Sequence, residues 1–374
     1  MAKFLFLDTD IQYLLTSKQK KLSGGAAVQS LIWAKALAAL GHTIYVPISE
    51  KCETKIAENI NLIRLYDENK GIRILRVIYY RLPKLYNVFK ELKPDYIYQS
   101  IPSWMSYFIA IFCKTLNIRY IIRISNNNEL NGKYIKHKSR LRYKMLRYGI
   151  KWSHCVLCQN RNQYRDLKSQ FPNKLAYTIH NPIILNDHQL KPSLSQRDYI
   201  AWVAKIRYVK NPRLLYEIAS NMPSENFYIA GAVDDNHPET LEYTKKLKGL
   251  ENVNFKGVVE REDIPAFLSG AKFLLNTSLY EGFSNTYLEA MSVGTPVLTT
   301  ENANPDGIID GKGLGIVYRD ARGLNETIKN ISEATYNEMS DRCIDYVKKN
   351  HDHIQLAKQL ITFLENNCSN NSSL

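Results

Sequence analysis

The sequence predicts an α/β protein made of two doubly wound domains in tandem. Short, continuously apolar runs alternate with longer stretches of helical periodicity along the 374 residues. This alternation is typical of parallel strands whose sheets are covered by helices on both faces. It stops once, in the polar, aperiodic run NDHQLKPSLSQRD at 186–198, and then begins again. A chain of this length can bury two separate cores.

The predicted elements follow in order. The first domain is predicted to contain strands near 3–8, 43–47, 61–66, 95–99, 119–124, 154–158 and 175–179, with helices near 25–40, 72–92, 104–116, 139–152 and 160–169. The second is predicted to contain strands near 199–204, 226–231, 252–256, 272–276, 296–299 and 314–317. We therefore expect domains at 1–190 and 191–350. A helix at 351–366 is expected to pack back toward the first domain, before a disordered tail at 367–374. Ligands in such folds bind beyond the carboxyl ends of the strands, here in a cleft between the domains.

Charge is distributed unevenly. Residues 1–185 hold 30 Lys and Arg against 11 Asp and Glu, a net charge of +19, whereas the whole chain carries +14. The first half is therefore expected to meet an anionic partner: nucleic acid, an anionic membrane surface or a phosphorylated substrate.

A strand is predicted almost at the first residue, where a signal peptide would need a longer apolar run. We expect a soluble, cytoplasmic protein.

The cysteines suggest neither a disulfide framework nor a metal site. The six are scattered, and Cys155 and Cys158 form a lone CxxC inside an apolar run. Structural zinc requires four ligands, and no second pair exists nearby, so a buried strand is the better interpretation. We expect no bound metal and no cofactor.

Two glutamates eight residues apart carry the strongest functional signal, in SLYEGFSNTYLEAMSVGTPVL at 278–298. Glu281 follows the strand predicted at 272–276, at the end of the strand where ligands bind. Ser284 or Asn285 would cap the next helix, whose first amides favour an anion such as phosphate. Glu289 lies on the same helix face as Asn285 and could accept hydrogen bonds from a ribose diol. The alternative interpretation is an early helical Glu and an exposed loop Glu.

Cations and glycines complete the pattern. Lys205, Arg207 and Lys210 follow the first strand of the second domain, where they could neutralise a departing nucleoside diphosphate without a metal. A solvated basic loop is the alternative. Gly24 and Gly25 open the first long helix and allow backbone approach to a phosphate or sugar.

With these segments together, the sequence resembles the GT-B glycosyltransferases, specifically the large retaining family 4. The resemblance rests on GGAAVQSLIWAKALAALGHTIYV, IHNPI, VAKIRYVKN, EGFSNTYLE with EAMSVGTPVL, and NPDGIIDGKGLGIVY. It implies a GT-B fold in which the C-terminal domain holds a nucleotide sugar and the N-terminal domain holds the acceptor. It also implies retaining, metal-independent transfer in which the leaving phosphate helps to take the acceptor proton. UDP is the nucleotide that the resemblance favours, with GDP second.

The resemblance assigns roles residue by residue. Lys205 and Lys210 would bind the diphosphate, and Glu281 would contact the donor sugar; these three are the expected catalytic residues. Donor binding would also involve Gly282, Phe283, Ser284, Asn285, Glu289, Gly231 and Arg207. Gly24, Gly25, Ser125 and Asn126 would form the acceptor and phosphate loop.

Two departures from the family pattern fall at these positions. Ala204-Lys205 replaces the usual Gly-Arg, so the charge is kept but the bidentate fork is lost. Ser125 or Asn126 stands where many members carry a histidine that contacts the donor sugar.

A basic helix is predicted near 139–152. Residues 133–151 hold eight Lys and Arg and no acid. One stripe comprises Lys136, Arg140, Lys144, Arg147 and Lys151; the adjacent apolar stripe comprises His137, Leu141, Met145, Tyr148 and Trp152. We expect the apolar stripe to pack in the domain core and the basic stripe, through Lys136, Arg140, Lys144 and Arg147, to face an anionic membrane.

These features together predict a peripheral enzyme at the inner face of the cell membrane. It would transfer sugar from a nucleotide sugar to a glycan or polyprenyl-diphosphate-linked acceptor in bacterial surface polysaccharide synthesis. The alternatives are a catalytically inactive, glycosyltransferase-like partner subunit and a basic nucleic-acid-binding protein. The second lacks a recognisable nucleic-acid-binding motif, so we expect no nucleic-acid partner.

Overall fold

The structure is a computed structural model that describes residues 1–15, 24–49, 59–67, 70–72, 75–125, 130, 139–185, 192–233 and 236–367. The chain forms two compact units. The first comprises residues 1–184 with the C-terminal segment that begins at His353, and the second comprises residues 185–352.

The first unit contains a seven-stranded parallel sheet. Its strands are β1 Lys3–Phe6, β2 Thr43–Ile48, β3 Asn61–Arg64, β4 Tyr96–Gln99, β5 Arg119–Arg123, β6 Cys155–Cys158 and β7 Ala176–Thr178. They pair in the order β3-β2-β1-β4-β5-β6-β7. On β1, Leu5 lies opposite Tyr45 of β2 and Ile97 of β4. The direction of winding therefore reverses between β1 and β4, which makes that gap the switch point of the sheet.

The second unit contains a six-stranded parallel sheet of the same type. Its strands are β8 Tyr199–Val203, β9 Asn226–Ala230, β10 Val253–Gly257, β11 Ala271–Leu275, β12 Val297–Thr300 and β13 Gly315–Tyr318. They pair in the order β10-β9-β8-β11-β12-β13. The switch point here lies between β8 and β11, so the loops that follow these two strands flank the expected ligand crevice.

Helices connect the strands. In the first unit they are α1 Gln12–Leu15, α2 Gly25–Ala39, α3 Leu82–Leu92, α4 Ser106–Thr115, α5 Arg140–Trp152 and α6 Arg161–Gln170. In the second they are α7 Pro212–Asn221, α8 Pro238–Lys248, α9 Ile264–Ser269, α10 Asn285–Ser292, α11 Ile308–Gly311, α12 Ala321–Lys329 and α13 Glu333–His351. The last helix, α14 His353–Asn366, belongs to the first unit. None of the helices in the described ranges is both long enough and apolar enough to cross a bilayer.

Alternating side chains give the first sheet a core on each face. Phe4 and Phe6 of β1 point to one face, where Trp33 of α2 and Leu360 of α14 pack against them. Leu5 points to the opposite face, whose core receives side chains from α3, α4, α5 and α6. These four helices therefore form a single layer on that face.

The predicted fold is confirmed. Each strand expected from the apolar runs exists, with ends that differ from the prediction by at most two residues. The CxxC segment forms the buried strand β6, and both of its cysteines are buried and reduced. The helix expected at 72–92 differs in one respect, because a π-helical turn at Val77–Arg81 precedes α3.

Candidate active site

Two loops at the switch point of the second unit are bonded to each other. The Oγ1 atom of Thr277, in the loop after β11, donates to the carbonyl of Lys210, in the loop after β8, at 2.6 Å. The indole Nε1 of Trp202 donates to the same threonine oxygen at 3.0 Å. The amide of Leu279 donates to the carbonyl of Val209 at 2.9 Å. The two loops therefore hold each other at a fixed separation beside the crevice.

This arrangement brings Lys210 and Glu281 into contact. The Nζ atom of Lys210 lies 2.6 Å from Oε2 of Glu281, and both side chains are mostly buried. Ser278 Oγ donates to the same carboxylate oxygen at 3.2 Å. Lys210 ends a 3₁₀ turn, after which Asn211 adopts a left-handed conformation and caps α7 by accepting from the amide of Leu214. A cation and a carboxylate that sequence reasoning assigned separately thus form one ion pair at the switch point.

The start of α10 lies in the same loop. Ser284 is its N-cap residue, as one of the two predicted options, and Asn285 is its first residue. The hydroxyl of Ser284 contacts Oγ1 of Thr286 at 2.8 Å, so it does not cap the helix amides with its side chain. Phe283 is buried against the ring of His351, with centroids 5.4 Å apart, and Gly282 is half-buried beside it. This packing fixes the direction in which the helix enters the site.

Glu289 lies on the second turn of α10 and faces an arginine that the sequence analysis did not single out. Its Oε1 atom is 3.2 Å from Nη2 of Arg261, and the carboxylate is largely buried whereas Arg261 is exposed. Burial raises the pKa of Glu289, while the charge and hydrogen bond of Arg261 lower it. Arg261 begins the 3₁₀ turn after β10, so its position at the carboxyl end of a strand is the signal that could have identified it.

Gly231 has a steric reason to be glycine. Its φ is +146°, and a Cβ atom there would lie 1.8 Å from the carbonyl oxygen of Ala204. Its amide donates to the carbonyl of Gly257 at 2.7 Å. The residue therefore lets the ends of β8, β9 and β10 converge at the edge that carries the candidate site.

The other two cations lie in the same loop. Lys205 is half-buried directly after the end of β8, and Arg207 is exposed at the start of the 3₁₀ turn. The next residue, Tyr208, packs against the ring of His237, with centroids 4.1 Å apart. The loop thus places an aromatic pair next to its basic residues. Among the described residues, no group of three His, Cys, Asp or Glu side chains could hold a metal ion.

The switch point of the first unit carries a partly buried acid that sequence reasoning missed. Oδ2 of Asp8, just after β1, accepts from Ser100 Oγ at 2.6 Å and from Ser30 Oγ at 3.2 Å. Burial raises the pKa of Asp8, and the two hydroxyls partly offset that effect. Ser125, just after β5, donates to the carbonyl of Ser100. Ser125 therefore lies beside this cluster, whereas Asn126 lies outside the described residues.

The glycines at the start of α2 are exposed. Gly24 is the N-cap residue, with φ at −79°, and a Cβ atom there would meet nothing within 4 Å. Gly25 is the first residue of the helix. Among the described residues nothing crowds a Cβ atom at Gly24, and glycine is a favoured residue at a helix N-cap. Its predicted contact with a phosphate or sugar stays a prediction.

Helix α5 departs from its predicted orientation. Its buried residues are Leu146, Gly149 and Ile150, whereas Leu141, Tyr148 and Trp152 are exposed. The predicted apolar stripe is rotated away from the core by roughly a third of a turn at 3.6 residues per turn. The reason is steric: a Cβ atom on Gly149 would lie 2.6 Å from Ser106, so the glycine face is the one that approaches α4.

The outer face of α5 therefore combines basic and aromatic side chains. Arg140 and Lys144 are exposed, whereas Arg147 is half-buried, lies over the ring of Phe171 at 4.7 Å and donates to Gln170. Lys136 lies outside the described residues. An aromatic strip, defined as Tyr107 of α4 with Tyr148 and Trp152 of α5, has neighbouring ring centroids 5.2 to 6.3 Å apart.

Comparisons with known proteins agree with this architecture. Residues 186–350 match the family described as glycosyl transferases group 1, and residues 23–187 match the family described as Glycosyltransferase Family 4. The chain resembles the structure of Anabaena Alr3699/HepE in complex with UDP and glucose, with a TM-score of 0.74 and 16% identity over 98% of this chain and 100% of that one.

Two curated relatives are similar over shorter stretches. The "Glycosyltransferase 1 domain-containing protein 1" of Xenopus tropicalis is 27% identical over 157 residues, 40% of this chain and 45% of that protein. The "Uncharacterized 41.2 kDa protein in cps region" of Klebsiella pneumoniae is 27% identical over 121 residues, 32% of this chain and 33% of that protein. The chain thus spans less than half the length of these two relatives. The two family matches and the two parallel-sheet units together show that the chain belongs to the group 1 glycosyltransferases of the GT-B fold.

Proposed function

We propose that the protein is a retaining, metal-independent glycosyltransferase that uses a UDP-sugar. The observation that carries the proposal is the convergence of Lys210, Glu281 and the start of α10 at the switch point between β8 and β11. Such a crevice is where doubly wound sheets bind nucleotides. The UDP and glucose in the Anabaena complex support the choice of nucleotide and of donor class.

In this proposal the cations act on charge that develops in the transition state, and the two glutamates bind the donor. Lys210 and Lys205 stabilise the departing diphosphate, together with the amides at the start of α10. Glu281 accepts hydrogen bonds from the donor sugar, and Glu289 accepts them from the ribose hydroxyls. The leaving phosphate takes the acceptor proton on the same face, so no separate general base is needed.

The proposed acceptor is a glycan carried on a polyprenyl diphosphate, in the assembly of bacterial surface polysaccharide. Its support is the exposed basic and aromatic face of α5, which suits the surface of an anionic membrane. The occurrence of a Klebsiella relative in a cps region is consistent with that role. The enzyme would then work as a peripheral protein at the cytoplasmic side of the membrane.

A thermal-shift titration tests the donor site. UDP, GDP and ADP are added without magnesium to the wild type and to Glu289→Gln. Ligand at a hundred times its Kd stabilises a protein by roughly 2.7 kcal/mol, which is an easily measured shift in Tm. We expect selective stabilisation by UDP that is reduced in the variant. Stabilisation without sugar transfer would indicate an inactive partner subunit, and no stabilisation by any nucleotide would contradict the proposed donor site.

A further inference from the structure

Four large apolar side chains project into solvent just before α3. Ile72, Leu75, Ile78 and Tyr79, called here the apolar ridge, are 67%, 52%, 69% and 53% exposed. In the sequence Leu75 is three residues from both Ile72 and Ile78 and four from Tyr79, the spacing at which side chains on a helical turn are neighbours. The backbone agrees with that geometry, since the amide of Arg76 donates to the carbonyl of Ile72 at 2.8 Å. Exposed apolar groups clustered in this way mark an interaction surface.

A hydrogen bond within the turn and the core-anchored helix that follows it fix the position of the apolar ridge. The amide of Ile72 donates to Oη of Tyr79 at 2.9 Å, which closes the turn on itself. Gly71 makes this possible, because its φ is +89° and a Cβ atom there would lie 2.1 Å from that hydroxyl. The following helix α3 is anchored in the core by Leu85 and Phe89. The ridge side chains therefore project from a fixed base.

The charged residues in and just after the ridge are basic, and the buried Asp67 lies before it. Residues 71–90 contain five Lys and Arg and no Asp or Glu. Lys84 and Lys70 lie over the ring of Tyr80, at 4.9 and 5.8 Å from its centroid. The guanidinium of Arg81 lies over Tyr66 at 5.5 Å. Cations packed on aromatic rings next to exposed aliphatic groups match an interface between anionic headgroups and acyl chains.

Helix α3, which follows the ridge directly, shares a layer with the helices that carry the aromatic strip. Helices α3, α4 and α5 all pack on the same face of the first sheet, through the core that contains Phe89, Ile109 and Leu146. The side of this layer away from the sheet carries the aromatic strip and the exposed cations Arg140 and Lys144. Tyr and Trp are the residues that favour the headgroup level of a membrane.

We propose that the apolar ridge inserts into an anionic lipid bilayer and that the aromatic strip and nearby cations lie at its headgroups. A bilayer suits the ridge better than a protein partner, because every charged residue of 71–90 is basic and the apolar side chains are more than half exposed. The inference deepens the proposed function, and it rests on that function only for the lipid-linked acceptor. Vesicle binding is measured in an assay that does not depend on sugar transfer, so it tests the ridge separately from the proposed function.

The experiment uses the full chain in a flotation assay with phosphatidylglycerol-containing vesicles and with pure phosphatidylcholine vesicles. We expect binding to the anionic vesicles that falls about ten-fold in the double variant Ile72→Ser/Ile78→Ser. The matched control is Leu241→Ser/Val258→Ser, which removes two apolar side chains of the second unit that are about half exposed. Control binding should equal that of the wild type, and both variants should keep its Tm because the replaced side chains are exposed.

A second variant reports insertion directly. In Ile78→Trp, the fluorescence emission of the new indole should shift to the blue when anionic vesicles are added. Brominated acyl chains should quench this emission. Both changes should exceed those of the wild type, which carries only the native tryptophans. Vesicle binding without that quenching would overturn the proposal, as would an absence of binding. A concentration-dependent dimer that the double Ser variant abolishes would overturn it in favour of a second copy. Insertion without sugar transfer would instead leave the ridge intact and contradict the proposed function.

Discussion

The guanidinium of Arg261, at the end of one loop, lies 3.2 Å from the carboxylate of Glu289, inside helix α10. Burial favours the protonated form of that carboxyl and raises its pKa, whereas Arg261 favours the charged form. A ribose diol donates hydrogen bonds, so Glu289 serves it best when ionised. Arg261 therefore acts as a positioning residue in the proposed donor site.

Replacing Arg261 by Gln should weaken UDP binding by about ten-fold, which corresponds to roughly 1.4 kcal/mol. Burial then acts on Glu289 without its counter-charge, so the pKa of the carboxyl rises further. The acid limb of UDP affinity should move to higher pH, as measured by calorimetric titration across the acid range. Arg261→Lys, which keeps the charge, should retain most of the affinity at neutral pH. An unchanged pH profile in Arg261→Gln would contradict the role.

The ion pair of Lys210 and Glu281 predicts a loss of catalytic rate, whereas Arg261 predicts a loss of nucleotide affinity. Lys210→Met should reduce kcat by about 10²- to 10³-fold, the usual effect of removing one group that stabilises transition-state charge. Lys210→Arg, as the matched control, should retain more activity because it keeps the charge. A Michaelis constant raised alone, with kcat unchanged, would mean that Lys210 only binds the ground state.

The same pair contributes to stability. Its two side chains are mostly buried, so a double-mutant cycle of Lys210→Met and Glu281→Gln should give a coupling of about 1 kcal/mol in the free energy of unfolding. The measurement is chemical denaturation of the four proteins at low ionic strength. Additive effects would show that the 2.6 Å contact is not maintained in solution.

His154 predicts a pH dependence of folding. Burial lowers the pKa of His154 to about 4, with additional effects from Arg119 and Lys174. The unfolded chain takes up this proton near the ordinary pKa of 6.5, so the unfolded state binds more protons between pH 6.5 and 4. Stability should therefore fall as pH falls through that window.

In His154→Gln the fall in stability at acid pH should be smaller. The slope of the unfolding free energy against pH should decrease by the amount that corresponds to the uptake of up to about one proton. Burial also lowers the pKa of His42, and the raised pKa values of Asp8 and Glu289 act in the opposite direction. The difference between wild type and variant isolates His154, and superimposable slopes would contradict the prediction. The measurement is denaturant unfolding at a series of pH values.

The positions of the strands could be predicted from sequence because buried parallel strands are continuous apolar runs. The family was predicted from the resemblance of the motifs around Gly24, Lys205 and Glu281. The position of Glu281 after β11 followed from the same pattern. Arg261 was missed because one arginine in a charged run, EREDI, has no periodicity that distinguishes it. The orientation of α5 was predicted incorrectly because aromatic residues look like core residues in a periodicity argument. Only the contact of Gly149 with Ser106 shows which face is buried.

Gly231, predicted to bind the donor, and Gly24, predicted to lie in the acceptor and phosphate loop, should respond differently to alanine. Gly231→Ala places a Cβ atom 1.8 Å from the Ala204 carbonyl at a φ of +146°, so we expect a loss of stability of about 1–3 kcal/mol. Gly24→Ala meets no atom within 4 Å at a φ of −79°, so it should lose no more than the ~1 kcal/mol that alanine costs at an N-cap. Thermal unfolding of both variants measures the contrast.

If Gly24 admits a phosphate or sugar close to the backbone, Gly24→Ala should also lose transferase activity while it remains fully folded. Full activity in that variant would remove Gly24 from the site, whereas a large loss of stability would mean that the start of α2 is packed more tightly than its exposure indicates.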